Sequence, residues 1–138
     1  MTRDEVQAWL DRYVAAWETY NPATIGDLFS EDAAYRYHPA DDPIVGRDAI
    51  VRSWVDPEPG GAASARDEPG TYGAHYEPYA VDGDRAVAVG WSRYWTDATR
   101  DIVASTFDNC FLLAFDGEGR CRAFTEFYRE RPAEAPTD

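Results

Sequence analysis

The chain has 138 residues, with 26 acidic side chains against 13 basic ones, and its formal net charge is −13. All the basic residues are arginine, and a surface so acidic repels phosphate backbones and anionic lipid, which argues against nucleic acid or a membrane as a partner. Hydrophobic residues at 44% and aromatic residues at 14% exclude a disordered chain and suffice to line a cavity as well as fill a core.

The length is that of one domain, expected over residues 1–131 with a disordered tail at 132–138. No run approaches the roughly 20 apolar residues of a membrane span. Met1 to Leu10 is polar and acidic where a signal peptide would be basic and then apolar, so a soluble cytoplasmic protein is expected.

Thr2-Arg-Asp-Glu5 has capping-box form, and Val6, Trp9, Leu10, Tyr13, Val14 and Trp17 recur at helical spacing, which predicts a helix from Arg3 to Tyr20. Asn21-Pro22 caps a short second helix with Ile25, Leu28 and Phe29 as its buried face. Ala33 to His38 alternates as a strand and stops at Pro39. Gly46 to Val55 reads as a third helix, with Ile50, Val51 and Trp54 along one face. Asp56 to Gly70, rich in Pro, Gly, Ala and charge, predicts a long mobile loop. Four strands follow, about Tyr72 to Val81, Arg85 to Thr96, Ile102 to Phe115 and Arg120 to Arg131, joined as antiparallel hairpins by Gly-containing turns.

Three helices, a strand and a four-strand meander give an α+β order in which helices cover one face of a curved antiparallel sheet. With its Ala16-Trp17 helix end, Leu28-Phe-Ser-Glu-Asp-Ala33 junction, Gly46-Arg-Asp-Ala-Ile50 and closing hairpin Asn109 to Gly117, the chain resembles the nuclear transport factor 2-like superfamily, and within it the SnoaL-like proteins. The resemblance spans Val6 to Pro132. It implies a cone-shaped barrel with a pocket between three N-terminal helices and the concave sheet, in a homodimer. It does not imply a chemistry, because the superfamily hosts isomerases, hydrolases, dehydratases, cyclases and binding domains.

A two- or four-residue loop in the last hairpin sets Phe115 opposite Arg120 and Asn109 opposite Glu126. Phe107, Asn109, Phe111, Leu113 and Phe115 then share a face with Tyr128, Glu126, Phe124 and Arg122, and this face is taken as concave. Cys110 and Cys121 fall together on the other face as unpaired core thiols, on the order of 13 Å apart and too far for a disulfide. A three-residue loop would send one strand's side chains to the opposite face.

A carboxylate among those aromatics has its charged form disfavoured, so Glu126 is the first candidate for a general acid or base, with Asn109 as its orienter. The same pair also reads as a satisfied polar pair in a sheet. The resemblance to the isomerases of the superfamily implies Tyr13 as a donor to a substrate oxyanion. Those enzymes carry a catalytic aspartate on the first strand, where this chain has Tyr35 to His38, and Asp108 points away from Glu126. Trp17, Tyr37, His38, Trp54, Phe107, Phe111, Phe124 and Tyr128 are the expected ligand-binding residues.

His38, His75 and Glu77 have the composition of an iron site, but no spacing motif ties them together. No metal or other cofactor is expected. Tyr76 and Trp91 are expected on one face of the first hairpin of the meander, either in the pocket or in a dimer interface. Two functions fit: acid-base chemistry on a small apolar, cyclic or carbonyl-bearing molecule, or a binding or dimeric interaction module without catalysis.

Overall fold

The computed structural model describes residues 1–57 and 68–132. Most of the loop expected at Asp56 to Gly70, and the expected tail beyond Pro132, lie outside the described residues.

Helix α1 (Arg3–Thr19) starts where the capping box places it. The Thr2 hydroxyl accepts from the Glu5 N–H at 3.1 Å and Glu5 Oε1 accepts from the Thr2 N–H at 3.0 Å. Replacing Thr2 by alanine is expected to lower stability by about 1 kcal/mol, read from urea denaturation, with glycine costing only a few tenths. Val6, Trp9, Leu10, Tyr13 and Ala16 form its buried face, and Trp9 Nε1 donates to Leu28 O at 3.0 Å.

Helix α2 (Pro22–Asp27) follows, capped by the Asn21 side chain. It is shorter than its apolar residues suggest, because Phe29 already belongs to strand β1 (Phe29–Arg36). Strand β2 (Ile44–Val45) was not foreseen; it pairs antiparallel with β1. Helix α3 (Arg47–Val55) comes next, and its Ile50 and Trp54 are buried.

Strands β3 (Tyr72–Asp82), β4 (Arg85–Trp95), β5 (Val103–Phe115) and β6 (Cys121–Glu130) form the meander. The six-stranded sheet has the order β2-β1-β6-β5-β4-β3, with β1 parallel to β6, and it stays open between β2 and β3. The result is an α+β architecture with helices over one face of a curved sheet. Aromatic rings fill the gap: Tyr13 stacks on Trp9 at 5.5 Å and on Phe124 at 5.5 Å, and Tyr35 stacks on Phe124 at 4.4 Å.

Two local irregularities set which side chains face inward. In the last hairpin, Asp116 N–H donates to Arg120 O, the Asp116 carboxylate accepts from the Glu118 and Arg120 N–H groups, and Gly119 sits at φ 79°. This is the three-residue connection that by itself reverses a strand. A bulge between Ala114 and Phe115 then leaves Arg122 unpaired and adds a second one-residue shift. The two shifts restore the expected faces while moving the partners by two residues. Asn109 lies opposite Tyr128, and Glu126 opposite Phe111, so the expected direct pairing of Asn109 with Glu126 becomes a diagonal one.

The bulge corrects two further expectations. Arg122 leaves the concave face and bonds Asp84 at 3.0 Å on the surface. Cys121 turns into the core, where burial pushes its thiol up to about 12, while Cys110 stays half-buried on the outer face. The thiols are therefore not on one face.

In the β3–β4 hairpin, Gly83 and Asp84 make the turn, but a bulge between Pro78 and Ala80 shifts the register beyond it. Proline has no N–H to give the ladder and is tolerated at a bulge on an edge strand. Tyr76 consequently pairs with Gly90 and faces the core, whereas Trp91 pairs with His75 on the outer face. The expectation that Tyr76 and Trp91 share a face fails for this reason. No helix of the described residues is long and apolar enough to cross a membrane.

Candidate functional site

The concave face, α1 and the segment after β1 enclose a cavity of about 330 Å³. Six tyrosines (13, 37, 72, 76, 94 and 128), Trp17 and Phe107 make most of its wall, and His38, Ser92, Ser105, Asn109 and Glu126 complete it. Period-two alternation places Tyr72 and Tyr76 from β3, Ser92 and Tyr94 from β4, and Phe107 and Asn109 from β5 on this face. Tyr13 and Trp17, one turn apart on α1, close it from the helical side.

Glu126 stands half-buried in this wall. Burial pushes its carboxyl up to about 7, opposed only by a hydrogen bond from Asn109, whose Nδ2 donates to Glu126 Oε2 at 2.8 Å. The buried Ser92 hydroxyl donates to Asn109 Oδ1 at 3.1 Å, which turns the amide N–H2 toward Glu126. A carboxyl with this proton affinity exchanges its proton freely near neutral pH.

The surrounding hydroxyls keep their protons. Burial raises Tyr13, Tyr35, Tyr37, Tyr72 and Tyr76 above the ordinary tyrosine range, and Glu126 adds to the rise for Tyr13, Tyr35, Tyr37 and Tyr76. Tyr37 bonds Ser53 at 2.9 Å; since Ser53 donates to Ile50 O at 2.7 Å, Tyr37 gives its proton to Ser53. The buried hydroxyls of Tyr13 and Tyr35 act on each other, but Tyr35 makes no full hydrogen bond among the described residues. Gln7 of α1 donates to Tyr76 O at 2.9 Å and fixes the helix against β3.

Of the expected ligand-binding residues, Trp17, Tyr37, His38, Phe107 and Tyr128 line the cavity, as do Glu126, Asn109 and Tyr13. Trp54, Phe111 and Phe124 do not. Each is at most 1% exposed, packed beneath the wall by Tyr13: Trp54 meets it edge-on at 5.4 Å, Phe111 at 5.3 Å, and Phe124 stacks on it. Sequence reasoning missed Tyr72, Ser92, Tyr94 and Ser105, and left Tyr76 undecided. Alternation was the available signal: Ser105 shares parity with Phe107 and Asn109 in β5, whereas Ser92 and Tyr94 are placed only by the β4–β5 register, and Tyr72 and Tyr76 also by the bulge after Pro78.

Asp108 is exposed and held by two bonds from Arg131, at 2.9 and 2.8 Å, which lower its carboxyl's proton affinity. The candidate iron ligands are not assembled. His75 and Glu77 are exposed on the outer face of β3 while His38 lines the cavity, and no three metal-binding side chains gather among the described residues.

A helical lid over a concave sheet with one carboxyl in an aromatic cavity is an arrangement that can be compared across proteins. The family model of the SnoaL-like domain matches residues 10–129. The chain belongs to the SnoaL-like domain family. This family's fold is of a small-molecule-binding kind. Among solved structures, this SnoaL-like protein is similar to an NTF2-like protein of unknown function from Mesorhizobium loti. The two share 23% identity over 92% of this chain and 93% of the other, with a TM-score of 0.58, which supports the fold alone. A comparison with curated proteins finds no match.

Proposed function

We propose that this SnoaL-like protein is an enzyme that moves a proton on a small ring-bearing or carbonyl-bearing molecule, with Glu126 as general base and acid. The observation that carries the reading is a carboxyl of near-neutral proton affinity in the wall of a cavity large enough for such a molecule. As carboxylate, Glu126 takes the proton; as acid it returns it. Asn109, set by Ser92, holds the carboxylate in place. The hydroxyls of Tyr13 and Tyr76 retain their protons and serve as donors where negative charge develops on a substrate oxygen. Tyr37 is a poorer donor because its proton is committed to Ser53.

The test follows exchange of protons next to the carbonyl of cyclic ketones and lactones into heavy water, with wild type and Glu126→Gln in parallel. Wild type should accelerate exchange for at least one compound, and the glutamine protein should lose about 10²- to 10⁴-fold of that rate. Full retention of rate in the variant would overturn the assignment.

A second reading, a binding or interaction module without catalysis, draws on the hydrogen-bond chain Ser92–Asn109–Glu126, which gives the buried amide and the carboxylate partners without any substrate. Compounds that raise the thermal midpoint of both proteins equally, with no exchange by either, would favour it.

A further inference from the structure

The described lining of the cavity holds one carboxyl and no arginine. Glu126 is the sole Asp, Glu or Arg among its described lining residues. Seven described arginines spend their side chains elsewhere: Arg36 on Asp41 O, Arg47 on Phe29 O, Arg93 on Thr106, Arg100 on Gly70 O and Tyr72 O, Arg120 on Glu118, Arg122 on Asp84 and Arg131 on Asp108. Glu126 therefore sits half-buried in the cavity wall with a neutral amide as its hydrogen-bond partner and no arginine beside it among the described residues. A buried carboxylate is stabilised by pairing, and aromatic ring faces are themselves attractive to cations. Both features favour positive charge on the ligand.

We propose that the ligand of this cavity is a ring-bearing organic cation, such as a protonated amine, seated on the tyrosine faces and paired with the Glu126 carboxylate. This rests on the reading of the cavity as a small-molecule site and adds the charge of that molecule. It is compatible with proton transfer, since a paired Glu126 is held in its basic form. The groups facing Glu126 are Tyr13 from α1, Tyr35 from β1, Tyr37 and His38 just beyond it, Tyr76 from β3 and Tyr128 beside it. The tyrosines stay neutral, so pH acts on cation binding through Glu126, with His38 as the group to control for.

Calorimetric titration with three probes tests this: benzyltrimethylammonium, whose charge is independent of pH; neopentylbenzene, its uncharged carbon isostere; and phenylacetate. The cation should bind more tightly than either at pH 8, and its affinity should rise about tenfold from pH 6 to pH 8 as Glu126 ionises. His38→Gln should keep this slope, and Glu126→Gln should lose both the slope and the preference for the cation. Equal binding of neopentylbenzene or phenylacetate at pH 8, or a slope surviving in Glu126→Gln, overturns the proposal. Because the readout is binding, cation preference without proton exchange would sink the catalytic reading alone, and exchange of neutral ketones without cation preference would sink this one alone.

Discussion

Replacing Gly90 by alanine is expected to lower stability by about 3 kcal/mol and to abolish ligand binding in the cavity, the cost belonging to the upper range for overpacking. Gly90 lies opposite Tyr76 in the β3–β4 ladder and beside Asn109 in the β4–β5 ladder. A Cβ there would stand 2.0 Å from the His75 carbonyl oxygen and 2.8 Å from the Tyr76 Cα. Both are backbone atoms, so no rotamer change makes room; β3 must move away from β4. That displaces Tyr76 from the wall and loosens the neighbourhood of Asn109. Urea denaturation of Gly90→Ala beside Gly117→Ala gives the check. At Gly117 an added Cβ meets nothing within 4 Å, and the change there should stay within about 0.5 kcal/mol. A loss at Gly90 below about 1 kcal/mol would show that the edge strand yields and that the cavity wall is softer than its pairing suggests.

The second large effect concerns pH. Glu126 has its carboxyl raised from 4.5 to about 7 on folding. Between those values the native protein holds a proton that the unfolded chain releases, so the group's contribution is complete below about pH 4.5 and is lost as pH rises through about 7. The full difference is on the order of 3 kcal/mol of destabilisation at pH 8 relative to pH 4.5. Glu126→Gln removes the titration but keeps the shape. The difference in unfolding free energy between variant and wild type should therefore grow in the variant's favour from pH 5 to pH 8. A difference that stays constant across that range would mean that Glu126 titrates as an ordinary exposed carboxyl, and its role as a base at neutral pH would fall with it. A group that costs the native state stability at neutral pH is a common feature of functional sites.

Much of this was legible in the chain itself. Local signals gave α1 its start, because a capping box is satisfied within four residues. Helical spacing of Val6, Trp9, Leu10 and Tyr13 named the buried face, and alternation marked the strands of the meander. The concave placement of Phe107, Asn109, Phe111, Glu126 and Tyr128 also followed from alternation. It survived because two one-residue shifts, at Gly119 and at Arg122, cancel in parity. The net charge and the absence of lysine determined the chemistry of the surface without any structure.

Tertiary structure decided the rest. Parity within a strand is local, but register between strands depends on bulges whose cause is a partner strand, and so Trp91 parts from the face of Tyr76, and Cys121 and Arg122 lie on the faces opposite to those expected. Depth is equally non-local: Trp54, Phe111 and Phe124 have the same chemistry as Trp17 and Phe107. Only the packing of α1 and α3 against the sheet buries the first three and leaves the others at the cavity. The sequence supplied a carboxylate and an aromatic face, while the fold supplied the burial that raises Glu126 with no described arginine beside it, since desolvation and pairing are properties of a neighbourhood and not of a residue.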